Sequence, residues 1–180
     1  MSSFKQSEES HITISELMLP SHSNFSGKIH GGYILSLMDQ VAFACAAKYS
    51  GFYAVTASVD KVDFLQPIEV GELVTMKAAV NFVGRTSMVI GVRVEAENIT
   101  TGTIKHCNSS YFTMVAKNNE GKSVPVPGLI LNNKETVRRF VRSLRRQEEG
   151  KTRRAQFTPS TFKLEDHLEI LKDYNVKLEI

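Results

Sequence analysis

The sequence predicts an α+β fold in which an antiparallel β-sheet wraps around one long central helix, with a basic helical extension at the C-terminus. Three observations carry that expectation. From Gly32 to Tyr49 the clearly polar positions are Ser36, Asp39, Gln40 and Lys48 alone, so apolar residues run round most of a helix. Beyond Gly51 the hydrophobic period changes from 3.6 to 2 in four runs rich in β-branched and aromatic residues. The breaks between those runs are short and hold Gly or Pro, which favours hairpins.

The chain has 180 residues, 42% hydrophobic and 23% charged, enough for one domain with a substantial core. Its first ten residues are polar, and no uncharged apolar run reaches the length of a membrane span or resembles a signal peptide, so a soluble, cytoplasmic protein is expected. Residues 11–19, HITISELML, alternate weakly and open the sheet, followed by the polar loop PSHSNFSGKIH. The long helix follows, with Gly51 as its C-terminal cap. Strands are expected at AVTASVDKVDF, ELVTMKAAVNFV, SMVIGVRVEAEN and IKHCNSSYFTMVAK. Four or five strands cannot cover the whole helix, so two copies joined edge to edge are the economical assembly.

The Pro- and Gly-containing segment after Lys117 leads out of the domain. In KETVRRFVRSLRRQ, Val137, Phe140, Val141 and Leu144 fall at i, i+3, i+4 and i+7, a narrow apolar stripe opposite a dense arginine face. LEDHLEILKDYNVKLEI can form another amphipathic helix. The division expected is a domain over 11–130 and an extension over 131–180. The net charge of +3 is uneven: residues 131–154 carry nine Lys or Arg against three Glu, leaving the remainder mildly acidic. Such a tail is a solvated face or an oligomer contact in the first instance, and an anionic partner in the second. Cys45 and Cys107 have neither the number nor the spacing of a disulfide framework or zinc site and read as buried thiols.

With NFSGKIHGGYILSLMD on a helix, then VTASVDKVDFLQPIEVGE and FVGRTSM on strands, the sequence resembles the hotdog-fold acyl-CoA thioesterases of the acyl-CoA hydrolase type. The resemblance covers about residues 11–130 and leaves the tail outside. It implies the hotdog fold, hydrolysis of a fatty acyl-CoA to a free acid and coenzyme A, and no metal or organic cofactor, coenzyme A being part of the substrate. It also implies a homo-oligomer, a dimer or a trimer of dimers, with active sites between subunits.

Thioester hydrolysis needs donors for the charge growing on the carbonyl oxygen and a carboxylate that activates water or attacks directly. The first amides of a helix lack internal partners, so Gly31 and Gly32 can present donors and the positive end of the helix dipole. Asp39 supplies the carboxylate, seven residues from Gly32. That is close to two turns on one face but roughly 10 Å along the axis, too far for one thioester to touch both in one chain. The donors and the acid are therefore expected from different subunits. Asn24 matches the family's loop asparagine and is expected to orient water or the carbonyl. Arg85, Thr86 and Ser87 match its contact with the phosphates and pantetheine of coenzyme A. His30, beside the glycines, either fixes the loop or meets substrate. Tyr33, Leu37, Met38 and Phe43 read as core, some lining an acyl tunnel. Two rivals are kept. One is a hotdog dehydratase, for which His106 is the strand-based histidine; the other is a non-catalytic acyl-CoA-binding regulator using the basic tail. No helix-turn-helix or zinc finger accompanies the domain, so nucleic acid is not an expected partner.

Overall fold

The computed structural model describes residues 3–156, 162–171 and 174–179. The central helix, α1, runs Gly31–Ser50, and both of its ends are set locally. His30 is its N-cap: the backbone there is extended, and His30 Nδ1 accepts the Gly32 N–H at 3.0 Å. At the other end Gly51 adopts a left-handed φ of 76°, and its N–H returns to the Ala47 carbonyl at 2.9 Å.

The strands are β1 (Phe4–Gln6), β2 (Ile12–Leu17), β3 (Tyr53–Val59), β4 (Leu73–Val83), β5 (Ser87–Asn98), β6 (Thr103–Lys117) and β7 (Gly128–Ile130). Five of them form one antiparallel sheet in the order β2-β4-β5-β6-β3. β1 and β7 form a short parallel pair of their own, which the polar look of the first ten residues conceals. The strand expected over residues 54–64 stops at Val59. There the chain leaves the ladder, with Asp60 N–H on the Tyr111 carbonyl at 2.9 Å and Leu65 N–H on the Cys107 carbonyl at 2.8 Å.

Register shifts place an extra residue at Ala57 in β3, at Asn81 in β4 and at Cys107 in β6. Such bulges bend and twist a sheet, and here they curl it onto α1. The covered stripe of the helix is Ile34, Met38, Val41, Ala42, Cys45, Ala46 and Tyr49, packed on Val74, Met76, Val80, Ile90, Val92, Phe112 and Met114. Within a single chain α1 is enclosed on that side alone. Gly32, Ser36, Gln40 and Phe43 on the other side are exposed, because five strands span only part of the helix circumference. Cys45 and Cys107 are free and buried, as expected. Burial pushes the Cys45 thiol up to about 12, so it is un-ionised at neutral pH and unreactive.

Helix α2 spans Lys134–Gln156, longer than the pattern over 134–147 suggests. Asn133 Oδ1 accepts the Thr136 N–H at 2.9 Å, while Thr136 Oγ1 accepts the Asn133 N–H at 3.2 Å, a reciprocal cap. Phe140 packs on Phe82 with ring centroids 4.9 Å apart, and the Arg142 guanidinium sits 5.9 Å over the Tyr111 ring. The first ten residues of α2 thus belong to the compact unit Met1–Ser143, and the second unit is Leu144–Ile180. In the second unit a 3₁₀ turn, Leu164–His167, leads into α3, Leu168–Leu171, and residues 174–179 are not helical. The rest of the amphipathic helix expected there lies outside the described residues. No described helix is long and apolar enough to cross a membrane.

Two outcomes follow from these contacts. A chain ending at Ser143 should melt about 4–8 °C above one ending at Ile130, since the shorter chain loses the Phe82–Phe140 packing, worth about 2 kcal/mol. Equal melting temperatures would mean that this packing contributes nothing. His30→Ala should lower stability by about 1 kcal/mol through loss of the cap, and His30→Asn should recover most of it. Equal losses in the two variants, read by thermal denaturation, would assign the effect to imidazole packing instead.

Candidate active site

Asp39 lies on α1 one residue past the buried Met38 and is itself half-buried. Its Oδ1 accepts a hydrogen bond from the Thr56 hydroxyl at 2.6 Å, and the Met114 sulfur lies 3.4 Å from the same hydroxyl. Thr56 is the last residue of β3 before the bulge, so the extra residue at Ala57 sets the strand's direction just where its side chain meets the carboxylate. Oδ2 of Asp39 has no hydrogen-bond partner among the described residues. β3 is an edge of the sheet, and the Asp39–Thr56 pair sits beside it.

The loop before α1 forms a second group. Asn24 closes a tight turn: its Oδ1 accepts from Ser26 N–H at 2.9 Å, Ser26 Oγ–H at 2.7 Å and Lys28 N–H at 3.2 Å. Gly27, at φ 77°, donates its N–H to the Asn24 carbonyl at 3.0 Å. The Asn24 side-chain oxygen is thus committed to the loop, while its NH₂ group donates to nothing among the described residues. Of the two glycines, Gly32 gives its N–H to His30 Nδ1, whereas the Gly31 N–H finds no acceptor among the described residues. The Phe64 ring packs on Gly31 so closely that a Cβ there would lie 3.2 Å from Cζ. Gly31 is therefore the open donor at the positive end of the helix, and His30 holds the turn that exposes it.

Arg85, Thr86 and Ser87 lie at the β4–β5 hairpin. Their turn is tied down by the Gly84 N–H on the Ser87 carbonyl at 2.8 Å, the Ala116 N–H on the Thr86 carbonyl at 3.0 Å and the Val126 N–H on the Arg85 carbonyl at 3.0 Å. Ser87 pairs with Val115, which pairs with Val55, so this turn is two strands from Thr56, about 10 Å across the sheet. The structure therefore brings Asp39, Thr56 and the Arg85 turn to one region. It leaves Gly31 and Gly32 at the far end of the same helix, roughly 10 Å along its axis from Asp39, with His30 capping that end and Asn24 in the loop before it.

Thr56 is the functional candidate that sequence reasoning missed. Its only local signal is a hydroxyl in the quoted strand run VTASVD, 17 residues after Asp39. His106 is held by its own strand, with Nε2 at 3.0 Å from the Asn108 carbonyl and 2.9 Å from Ser109 Oγ. It stands eight residues along β6 from Met114, about 26 Å away, beyond reach of Asp39 in the same chain. Among the described residues no three His, Cys, Asp or Glu side chains gather into a metal-binding group.

Comparison with known proteins agrees with this architecture. A family model described as the thioesterase superfamily matches residues 26–103. Protein VdlD of Helicobacter pylori is 43% identical over 137 residues, covering 76% of this chain and 78% of that protein. The uncharacterized acyl-CoA thioester hydrolase YkhA of Bacillus subtilis is 33% identical over 147 residues, covering 82% and 86%. Among solved structures, an apo-hexameric acyl-CoA thioesterase superposes with a TM-score of 0.83 at 35% identity, covering 86% of this chain and 99% of that one. An acyl-CoA hydrolase from Staphylococcus aureus, in complex with butyryl coenzyme A and coenzyme A, superposes with a TM-score of 0.78 at 28% identity, covering 94% and 99%. That enzyme has also been solved with an aspartate, an asparagine or a threonine replaced by alanine. On its sequence, its curled sheet around a central helix and these likenesses, the chain belongs to the hotdog-fold acyl-CoA thioesterases of the thioesterase superfamily.

Proposed function

We propose that the chain hydrolyses acyl-CoA thioesters to a free carboxylic acid and coenzyme A, at sites assembled between two copies of itself. One observation carries the assignment of residues. The asparagine, aspartate and threonine replaced in the Staphylococcus aureus hydrolase are separated by 15 and 17 positions, as are Asn24, Asp39 and Thr56. In this chain Asp39 and Thr56 share a hydrogen bond, and the Asn24 NH₂ donates to nothing among the described residues.

The chemistry follows from those groups. The Thr56 hydroxyl fixes one oxygen of the carboxylate and leaves the other to act as base toward water or as nucleophile toward the thioester carbonyl. The carbonyl oxygen gains charge as the carbon is attacked, and the Gly31 amide and the Asn24 NH₂ stand ready to receive it. The C–S bond breaks, coenzyme A leaves and takes up a proton as the thiol, and the water oxygen ends in the acid. Arg85, Thr86 and Ser87 are proposed to hold the coenzyme A moiety. The scheme calls on no metal and no organic cofactor.

A second copy is part of the proposal. The face of α1 that carries Asp39 is half covered, and Phe43 pairs with Tyr53 at 5.3 Å on that side, both exposed beside the open edge of β3. A second sheet added at this edge would cover these rings and bring another chain's Asn24 and Gly31 toward Asp39. The hexameric relative is consistent with a homo-oligomer. A cytoplasmic location fits coenzyme A chemistry.

Asp39→Asn should lower turnover of acyl-CoA substrates by roughly 10²–10⁴ while the oligomer stays intact, read by thiol release and by size. Undiminished turnover would remove Asp39 from the mechanism. Binding of acyl-CoA without turnover by the unmodified protein would favour the regulator instead.

A further inference from the structure

The exposed apolar residues near the site fall into two groups. Phe43 and Tyr53 lie against the β3 edge, where a second copy is expected. Phe25, Phe64 and Leu65 lie instead on the two loops that surround the start of α1. Phe25 is fully exposed at the tip of the Asn24–Gly27 turn, with Asn24, Ser26 and Lys28 around it, so no apolar neighbour in its own turn explains it. Phe64 is 51% exposed, one part of its ring packed on Gly31 and the rest open.

The two loops are clamped together. Lys28 and Glu69 form an isolated β-bridge, their side chains pair at 2.5 Å, and the Ile29 N–H donates to the Ile68 carbonyl at 2.9 Å. The Asn24 turn is held by its own hydrogen bonds. The two rings are therefore carried on loops tied to one another, Phe25 next in sequence to Asn24 with its open NH₂ and Phe64 packed on Gly31 with its open N–H. A ligand whose carbonyl takes those donors carries its acyl substituent one bond away.

We propose that Phe25 and Phe64 form the seat of the acyl chain and make the enzyme prefer medium and long chains over acetyl. This inference rests on the thioesterase reading given above and adds to it the side chains that select substrate. An apolar chain laid on the two rings replaces water on both surfaces. An acetyl group is too short to gain from it.

The test compares kcat/KM for acetyl-, octanoyl- and dodecanoyl-CoA in the intact oligomer, with Phe25→Ser, the apolar rescue Phe25→Leu, and the distant exposed control Ile99→Ser. The expected result is that the dodecanoyl-to-acetyl ratio falls about tenfold in Phe25→Ser, recovers in Phe25→Leu and is unchanged in Ile99→Ser. An unchanged ratio in Phe25→Ser would overturn the proposal, as would dissociation of the oligomer in that variant, which would place the ring against a second copy. If the unmodified protein released coenzyme A from none of the three thioesters, the hydrolase reading would fail on its own. Calorimetry with dodecanoyl-CoA and with coenzyme A would then decide the seat. Loss of the extra affinity for the acylated ligand in Phe25→Ser would support it, and an undiminished difference would overturn it.

Discussion

The rigidity of α1 is the constraint on which the rest depends. A helix rises about 1.5 Å per residue, so the carboxylate at position 39 and the open amide at position 31 are held more than 10 Å apart, and no rearrangement short of unfolding closes that gap. A thioester carbonyl spans far less. At that distance the proposed acid and the proposed oxyanion donors of one chain do not meet on one substrate molecule, so the proposed site draws them from two helices brought past one another. The sheet enforces the same separation: Asp39 is tied to Thr56 on β3, whereas the Asn24 loop is tied to residues 68 and 69 at the other end.

The distribution of exposed surface follows from that constraint. Five strands bury Ile34, Met38, Cys45 and Tyr49 but leave the Asp39 side of α1 beside an unpaired strand edge. Such an edge, rimmed by Phe43, Phe52 and Tyr53, is a liability in a lone chain and an interface in a paired one. Thr56 belongs to both descriptions. The bulge after it shifts the register of the ladder with β6, and its hydroxyl fixes the carboxylate at the boundary where a second chain would arrive.

Much of this was legible in the sequence, for stated reasons. The central helix announced itself through a long, mostly apolar run closed by Gly51, and β4, β5 and β6 through alternation that the structure follows nearly to the residue. The end of β3 was not legible, because alternation continues to Phe64 while the chain turns away at Asp60 to bond with β6 from outside the ladder. β1 and β7 are three residues each, and only their pairing across more than a hundred residues makes them strands. In the site, residue type and spacing brought out Asp39 and the glycine pair, and the family resemblance brought out Asn24. They could not show that His30 takes the Gly32 amide and leaves Gly31 as the open donor, since that depends on an imidazole rotamer. Thr56 was hidden for a similar reason: one hydroxyl among several in a strand gains its meaning from a bulge that places it on the carboxylate.

The most direct measurement of the shared site is complementation between inactive chains. Asp39→Asn and Asn24→Ala subunits, each purified and then unfolded and reassembled together, form mixed pairs in which one of the two sites draws its acid and its asparagine from intact positions. Recovery of thioester hydrolysis well above both parent proteins is the result expected of a site built from two chains. Mixed oligomers no more active than the average of the parents would place the acid and the asparagine in the same chain's site and contradict the account.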